Sequence, residues 1–386
     1  MRICFLSSMH PPMDKRVFQK EAVALASSQH TVIHLAPSSQ VKSIVSQMYD
    51  GIEIVSYPPL QGIKGRLLGL ITLYRMAKNI DAEAYHCNEV DSWMVGVMLR
   101  ILKGRICIFD VHEHYPEEFS EKYVANWARP IVRFLIACLM RFLSIFTHHV
   151  VLAKSSLLPS FNHMQKSQIH LVQNFVSLAS LPEPNNDRSN DSSIKIIHLG
   201  LFNRYRGWPQ LLEALSIARS QDIKLLVLGS INDGSEKDFH NMIKKLNLSD
   251  RIDYQEWLPY DKAIQKVKES DIGVVCFQPG FFNHIHALPH KMFDYMGAEL
   301  AVLAPDIAIE VSNIIDDANC GLLFDSSNPK SIANAIDQLS ENKKMLREMG
   351  RCGREAVYRK YNWEAEAKTL INLYQRLEEK RVRCAE

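Results

Sequence analysis

Two doubly wound units, each a parallel β-sheet wrapped by helices, are what this sequence predicts. Short β-branched or apolar runs alternate with segments of helical period, the pattern of strand–helix–strand crossovers. The alternation runs through both halves of the chain. A length of 386 residues also exceeds what one hydrophobic core usually serves, so two cores are expected.

In the first half the expected strands are 3–7, 31–36, 52–56, 84–86, 105–111 and 150–153. A helix over 16–27 carries Val17, Ala22, Val23 and Leu25 along one side. In the second half the expected strands are 194–199, 224–228, 251–254, 272–276, 301–303 and 321–324. Helices over 209–220, 235–246, 261–269 and 329–339 fit between them. A last helix, from 363 to about 383, aligns Ala367, Leu370, Leu373 and Leu377. The Pro/Asn/Asp/Ser-rich stretch 181–193 is a linker by composition or a long loop of the second unit. The crossover is placed before it, between Ser156 and Gln168. The units are then 1–165 and 166–362, with 363–386 a helix packing back on the first.

A hydrophobic fraction of 47% supplies both cores, and a net charge of +2 lacks the basic excess of a nucleic-acid binder. The eight cysteines are scattered, several inside apolar runs and none in a zinc-type pair, as expected of buried, reduced thiols in a cytoplasmic protein. The apolar start is too short for a signal peptide, and no uncharged run approaches the ~18 residues of a spanning helix. Two basic amphipathic segments, 63–78 and 127–146, are either core helices or surfaces for an anionic membrane. The latter carries Arg129, Arg133 and Arg141, the last two on one face. Peripheral contact with the inner face of the cell membrane is thus a candidate.

The most informative segment runs from Ala287 to Pro305. Pro289 suits the first turn of a helix, Met292, Phe293 and Met296 recur at helical spacing, and 301–304 reads as a buried strand. Asp294 then falls near the positive end of the helix, where amides can hold a phosphate and a carboxylate can accept sugar hydroxyls. An ordinary acidic first turn is the plainer alternative. The loop Gly200-Leu-Phe-Asn-Arg-Tyr-Arg-Gly207 follows a strand, precedes a helix and carries Arg204 and Arg206, which suits a diphosphate. His86, His112 and His198 stand at strand ends, with His114 close by; a histidine there can donate to a sugar hydroxyl or a phosphate.

These motifs resemble retaining glycosyltransferases of family 4. Gly200…Arg206-Gly207 with Leu211-Leu-Glu-Ala214 is similar to that family's "G…KG…ll.A" signature, with Arg in the Lys position. Pro289-His-Lys-Met-Phe-Asp-Tyr-Met296 is similar to its "P.KlfEYM" helix, and Gly321-Leu-Leu-Phe324 and Tyr361-Asn-Trp-Glu364 to later elements. His10-Pro-Pro-Met-Asp14-Lys-Arg16, Ala84-Tyr-His86-Cys-Asn88 and Asp110-Val-His112-Glu113 resemble a branch that acts in bacterial polysaccharide synthesis. The resemblance implies a GT-B fold, two Rossmann-like domains facing across a cleft. It implies a nucleotide-sugar donor, a glycan or lipid-linked acceptor, retention of anomeric configuration, and no cofactor or required metal. It assigns His112 and Arg206 to catalysis. On the donor side it places Asp294, Arg204, Lys291, Gly200, and His286 or His284 where the family has its first acid. On the acceptor side it places His10, Asp14, Arg16, His86 and Glu113. Leu201, Glu299 and Ala301 depart from the family pattern, and Pro11-Pro12-Met13 replaces a glycine pair. Two alternatives follow: a catalytically weakened partner subunit that binds glycan or nucleotide, and a nucleotide-sugar epimerase of the same architecture.

Overall fold

The computed structural model describes residues 1–59, 62–184 and 193–385, with the side chains of 62–67 and 384–385 left aside. The middle of the expected linker, the basic start of the 63–78 helix and the Cys384 thiol therefore lie outside the described residues. The chain forms two units, Met1–Asn174 with Trp363–Glu386, and Phe175–Asn362. The first boundary, expected at 165/166, moves to 174/175. The reason is a short strand at Ile169–Leu171, which pairs in parallel with His149–Leu152 and so belongs to the first sheet.

In the first unit the strands are β1 (Arg2–Leu6), β2 (Thr31–Pro37), β3 (Val45–Tyr49), β4 (Ile52–Tyr57), β5 (Ala84–Cys87), β6 (Ile106–Val111), β7 (His149–Leu152) and β8 (Ile169–Leu171). Their order in the sheet is β3-β4-β2-β1-β5-β6-β7-β8, all parallel except the β3 edge. Neither β3 nor β8 was expected. The first is an exposed edge without an apolar run, and the second is three residues long. The helix Val90–Lys103 buries Trp93, whose ring stacks on Phe109 at 3.9 Å while its N–H donates to Thr147 Oγ1 at 2.8 Å. The C-terminal helix, Trp363–Ala385, sinks Leu370, Leu373 and Tyr374 among Ile3, Phe5 and Leu25 on the other face.

The helix expected over 16–27 begins differently. A π-helical turn at Val17–Ala22 precedes a short α-helix at Val23–Ser27. Gln19 N–H reaches Asp14 O at 3.1 Å and Glu21 N–H reaches Arg16 O at 3.0 Å, both five residues back. This wider turn accompanies the burial of three charged side chains, Arg16, Lys20 and Glu21, and such turns recur at functional sites.

The second unit holds β9 (Ile194–Leu199), β10 (Ile223–Leu228), β11 (Ile252–Gln255), β12 (Ile272–Val274), β13 (Ala301–Pro305) and β14 (Gly321–Phe324). The order β11-β10-β9-β12-β13-β14 is wholly parallel. Strand order reverses between β9 and β12 here, and between β1 and β5 in the first unit. Ligands of open α/β sheets bind beyond the carboxyl ends of strands at such reversals. A side chain at Gly273 would meet the Tyr295 ring at 2.1 Å, so glycine lets the 290–297 helix lie on β12. The Tyr295 hydroxyl in turn accepts from Leu199 N–H at 2.9 Å, bracing the end of β9.

The helix Arg129–Ile145 is not a core helix. Only Met140, Leu143 and Ser144 are buried, while Ile131, Phe134, Leu135, Phe142 and Ile145 are exposed, with Trp127 81% exposed at its start. Arg133 does not share the outward face with Arg141. It turns to Ser120 Oγ at 2.8 Å and Glu121 at 3.1 Å on the preceding helix. Arg129 donates to the carbonyls of Val124 and Glu121. No helix among the described residues is long and apolar enough to cross a membrane.

Candidate functional site

In the second unit the loop 200–207 leaves β9 at the reversal point. Gly200 (φ +90°) and Gly207 (φ +78°) take left-handed conformations that favour glycine. A Cβ on Gly207 would meet Cys276 O at 2.4 Å and Gln278 Nε2 at 2.6 Å, so the loop's end presses on the chain that leaves β12. Asn203 shapes the turn between them, its Oδ1 accepting from Arg206 N–H at 3.1 Å.

That close approach brings the basic side chains together. The Arg206 guanidinium lies 5.4 Å from the centroid of Phe277. On the same ring His284 stacks at 5.0 Å and 21°, held by its Nδ1 to Gln278 O at 2.9 Å. Lys291, buried near the start of the 290–297 helix, donates to Leu199 O at 2.8 Å and lies 3.0 Å from His198 Nε2. Burial and then the nearby Arg206 charge push the Lys291 ammonium well below its ordinary pKa. Burial and the Lys291 charge likewise push His198 well down. Arg206, His284 and Lys291 thus bring basic side chains together at a strand-end reversal.

The remaining donor-side expectations fare differently. Pro289 is the residue before the helix, and Asp294 is the fifth residue within it, beyond the free amides. Its carboxylate is 4% exposed and accepts from Tyr260 Oη at 2.6 Å and His290 Nδ1 at 3.1 Å. Arg204 turns away from the cluster to Asp238 at 2.5 Å and lies over Trp208. His286 packs on the Phe282 ring at 4.5 Å, so it is His284 that shares the Phe277 ring with Arg206.

In the first unit the residues expected on the acceptor side separate into two groups. Arg16 and His86 are interior. Arg16 grips Asp110 through Nη2 at 2.8 Å and Nε at 3.2 Å, reaches Glu21 at 2.9 Å, and donates to Val172 O at 2.8 Å. His86 lies 3.4 Å from Glu21, 3.9 Å from Asp110 and 2.9 Å from the Tyr374 hydroxyl. Asp14 is a turn residue whose Oδ1 accepts from the amides of Arg16 and Val17. Glu113 pairs with Lys154. Arg16 and His86 brace the interior, because buried charges must be paired where they lie; the Glu113 side chain is 41% exposed. Glu21, His86 and Asp110 offer three ligand atoms within 4.8 Å of one another. The Arg16 guanidinium already supplies the cation there.

His10 of that set lies beside His112, the residue expected in catalysis. Their rings stand 4.9 Å apart at 68°. His112 Nε2 bonds Asp110 Oδ2, and His10 Nδ1 bonds Glu89 Oε1 at 2.6 Å. Sequence reasoning missed Glu89. A carboxylate opening a helix just after a strand was the available signal, but its partners in the β1 loop are about 80 residues away. A cavity of about 410 Å³ is lined by Ser8 of the same β1 loop with Ile44, Tyr57, Pro59, Leu73 and Asp91, among others, and by neither imidazole.

Residues 182–356, most of the second unit, match the family model described as Glycosyl transferases group 1. The chain is 25% identical over 229 residues to a poly(ribitol-phosphate) alpha-N-acetylglucosaminyltransferase of Staphylococcus aureus (strain COL). The match covers 58% of this chain but only 43% of that relative's length. Among solved structures, the fold is similar to sucrose-phosphate synthase from Thermosynechococcus elongatus, with TM-score 0.78, 17% identity, and 98% and 100% of the two chains covered. It is also similar to Anabaena Alr3699/HepE in complex with UDP and glucose, with TM-score 0.74, 14% identity and the same coverage. The architecture is thus GT-B, two Rossmann-like α/β domains.

Proposed function

We propose that this GT-B chain is a retaining, family 4-type glycosyltransferase that moves a sugar from a nucleotide diphosphate donor to a glycan or lipid-linked acceptor in cell-surface polysaccharide synthesis. The observation that carries the reading is the cluster of Arg206, Lys291 and His284 at the β9/β12 reversal. A diphosphate there would neutralise the crowding and return the Lys291 charge, since an anion raises a depressed ammonium pKa. Charge building on the departing diphosphate would meet Arg206 first, with Lys291 holding the Gly200 loop beneath it. Positive charge comes from these side chains, so the reading gives no task to a metal or cofactor. The phosphate itself can take the acceptor's proton, leaving no dedicated base to be found. Asp294 would accept the ribose hydroxyls alongside Tyr260. His10, His112 and the cavity at Ser8 would serve the acceptor.

A UDP-sugar is the first donor to test, because UDP accompanies Anabaena Alr3699/HepE. A thermal-shift screen of UDP-, GDP- and ADP-sugars should single out one base. Saturation at 100 times Kd stabilises by about 2.7 kcal/mol. Asp294→Ala should weaken that binding by about 10–100-fold, the worth of a charged hydrogen bond of ~1.5–3 kcal/mol. No shift with any of the three sugars would remove the donor site from the reading.

The exposed face of the Arg129–Ile145 helix supports peripheral contact with an anionic membrane. Trp127, Phe134 and Phe142 would enter the headgroup boundary while Arg141 meets anionic lipid. Flotation with anionic vesicles at low salt should carry the wild type up and leave Phe134→Glu/Phe142→Glu below. Both side chains are exposed, so the double variant should melt like the wild type. A wild type that stays at the bottom ends the membrane reading.

A further inference from the structure

Two carboxylate–imidazole pairs lie side by side at the carboxyl end of the first sheet. Glu89 accepts from three consecutive amides of the β1 loop: Ser8 at 2.8 Å, Met9 at 3.0 Å and His10 at 2.9 Å. The Ser8 and Ser92 hydroxyls and the His10 ring complete its shell. One buried side chain thus sets both the loop's backbone and the orientation of its imidazole. Asp110 orients the His112 ring, and is itself held by Arg16. Each ring spends one nitrogen on its carboxylate, His10 through Nδ1 and His112 through Nε2. His10 Nε2 and His112 Nδ1 remain for a ligand, on rings 26% and 14% exposed.

We propose that Glu89 and Asp110 are positioning residues that fix His10 and His112 as a paired-imidazole site for the hydroxyl group of a neutral acceptor. The proposal rests on the glycosyltransferase reading only for the identity of that acceptor. With Nε2–H given to Asp110, the His112 ring keeps Nδ1 for a hydrogen bond to the hydroxyl. His10, charged by its bond to Glu89, presents Nε2–H as a donor to the hydroxyl oxygen or its neighbour.

The groups facing His10 are Glu89, Asp14, Asp110, His112 and the buried His34. Burial works against the His10 charge, but the Glu89 bond and the three carboxylates outweigh it and raise its pKa from 6.5 to about 8. His34, driven by burial to about 4, is neutral near pH 7 and adds no repulsion. A raised folded value means that this pair's stabilisation is whole below pH 6.5 and is lost as pH rises through about 8.

Histidine-selective NMR on the full chain tests the arrangement without any substrate. His10 should titrate near 8 in the wild type and at least one pH unit lower in Glu89→Gln. The wild-type His112 should show the Nε2–H tautomer. An ordinary His10 titration, or one unmoved by Glu89→Gln, overturns the proposal, and the wild-type curve stands even where the variant fails to fold. With a working donor and acceptor, Glu89→Gln should lower kcat about tenfold, leave KM for the nucleotide-sugar unchanged, and shift the alkaline limb of the kcat profile down. A loss equal at all pH, with the limb unmoved, also overturns it. Absence of transfer from every donor, with the titrations as expected, would sink the glycosyltransferase reading instead.

Discussion

Arg206→Ala should slow sugar transfer by about 10²–10³-fold, the cost of removing one preorganised charge from a developing oxyanion, ~2.7–4 kcal/mol. The fold should survive. The loop's path is set by the left-handed Gly200 and Gly207, the Asn203 cap and the approach of Gly207 to Cys276, none of which needs the guanidinium. Lys291 cannot take over the task, because its ammonium is committed to Leu199 O and packed against His198. Arg206→Lys should keep much of the activity, since a point charge still meets the phosphate. Single-turnover rates at saturating donor, alongside matched melting curves, check both variants. Near-wild-type turnover in Arg206→Ala would remove the residue from the mechanism.

Arg16→Met should be the most destabilising of these substitutions, at about 3–5 kcal/mol by urea unfolding, because it strands buried charge. In the wild type Arg16 and a protonated His86 balance the carboxylates of Asp110 and Glu21. Burial opposes the His86 charge, yet the Asp110 and Glu21 carboxylates beside it lift it from 6.5 to about 9. Burial opposes the Asp110 charge too, and Arg16, followed by His112 and His86, holds it well below its ordinary 3.8. The signs define a window. The His86 contribution is whole below pH 6.5 and lost as pH rises through 9. The Asp110 contribution is present above about pH 4 and lost as pH falls. Wild-type stability from this network should therefore be greatest between about pH 4 and 6.5. A loss below 1 kcal/mol in Arg16→Met would show that the network is not what holds the loops.

The residues expected on the donor side are close in the chain. Gly200 and Arg206 lie in one strand-to-helix loop, and Lys291 and Asp294 in one helix turn, so spacing alone groups them. Those expected on the acceptor side depend on distant partners. Arg16 looked like a surface ligand in a motif, but its partners Asp110 and Val172 are 94 and 156 residues away. His86 looked like a strand-end ligand, and its ring instead meets Tyr374, 288 residues on. Arg204 and Arg206 are two positions apart and indistinguishable by composition. Only the turn between them sends one to Asp238 and the other over Phe277.

The sequence by itself determined the alternation of strands and helices, the two doubly wound units, and the arginine-bearing loop after β9. All of these follow from periodicity and turn chemistry within a few residues. Tertiary structure decided which charges are ligands and which are struts. It buried Arg16, Glu21, His86 and Asp110 as one balanced network and recruited the unforeseen Glu89 to set the β1 loop. It also left the apolar face of the 129–145 helix uncovered. Burial and pairing of charge depend on residues distant in the chain, and a local pattern carries no record of them.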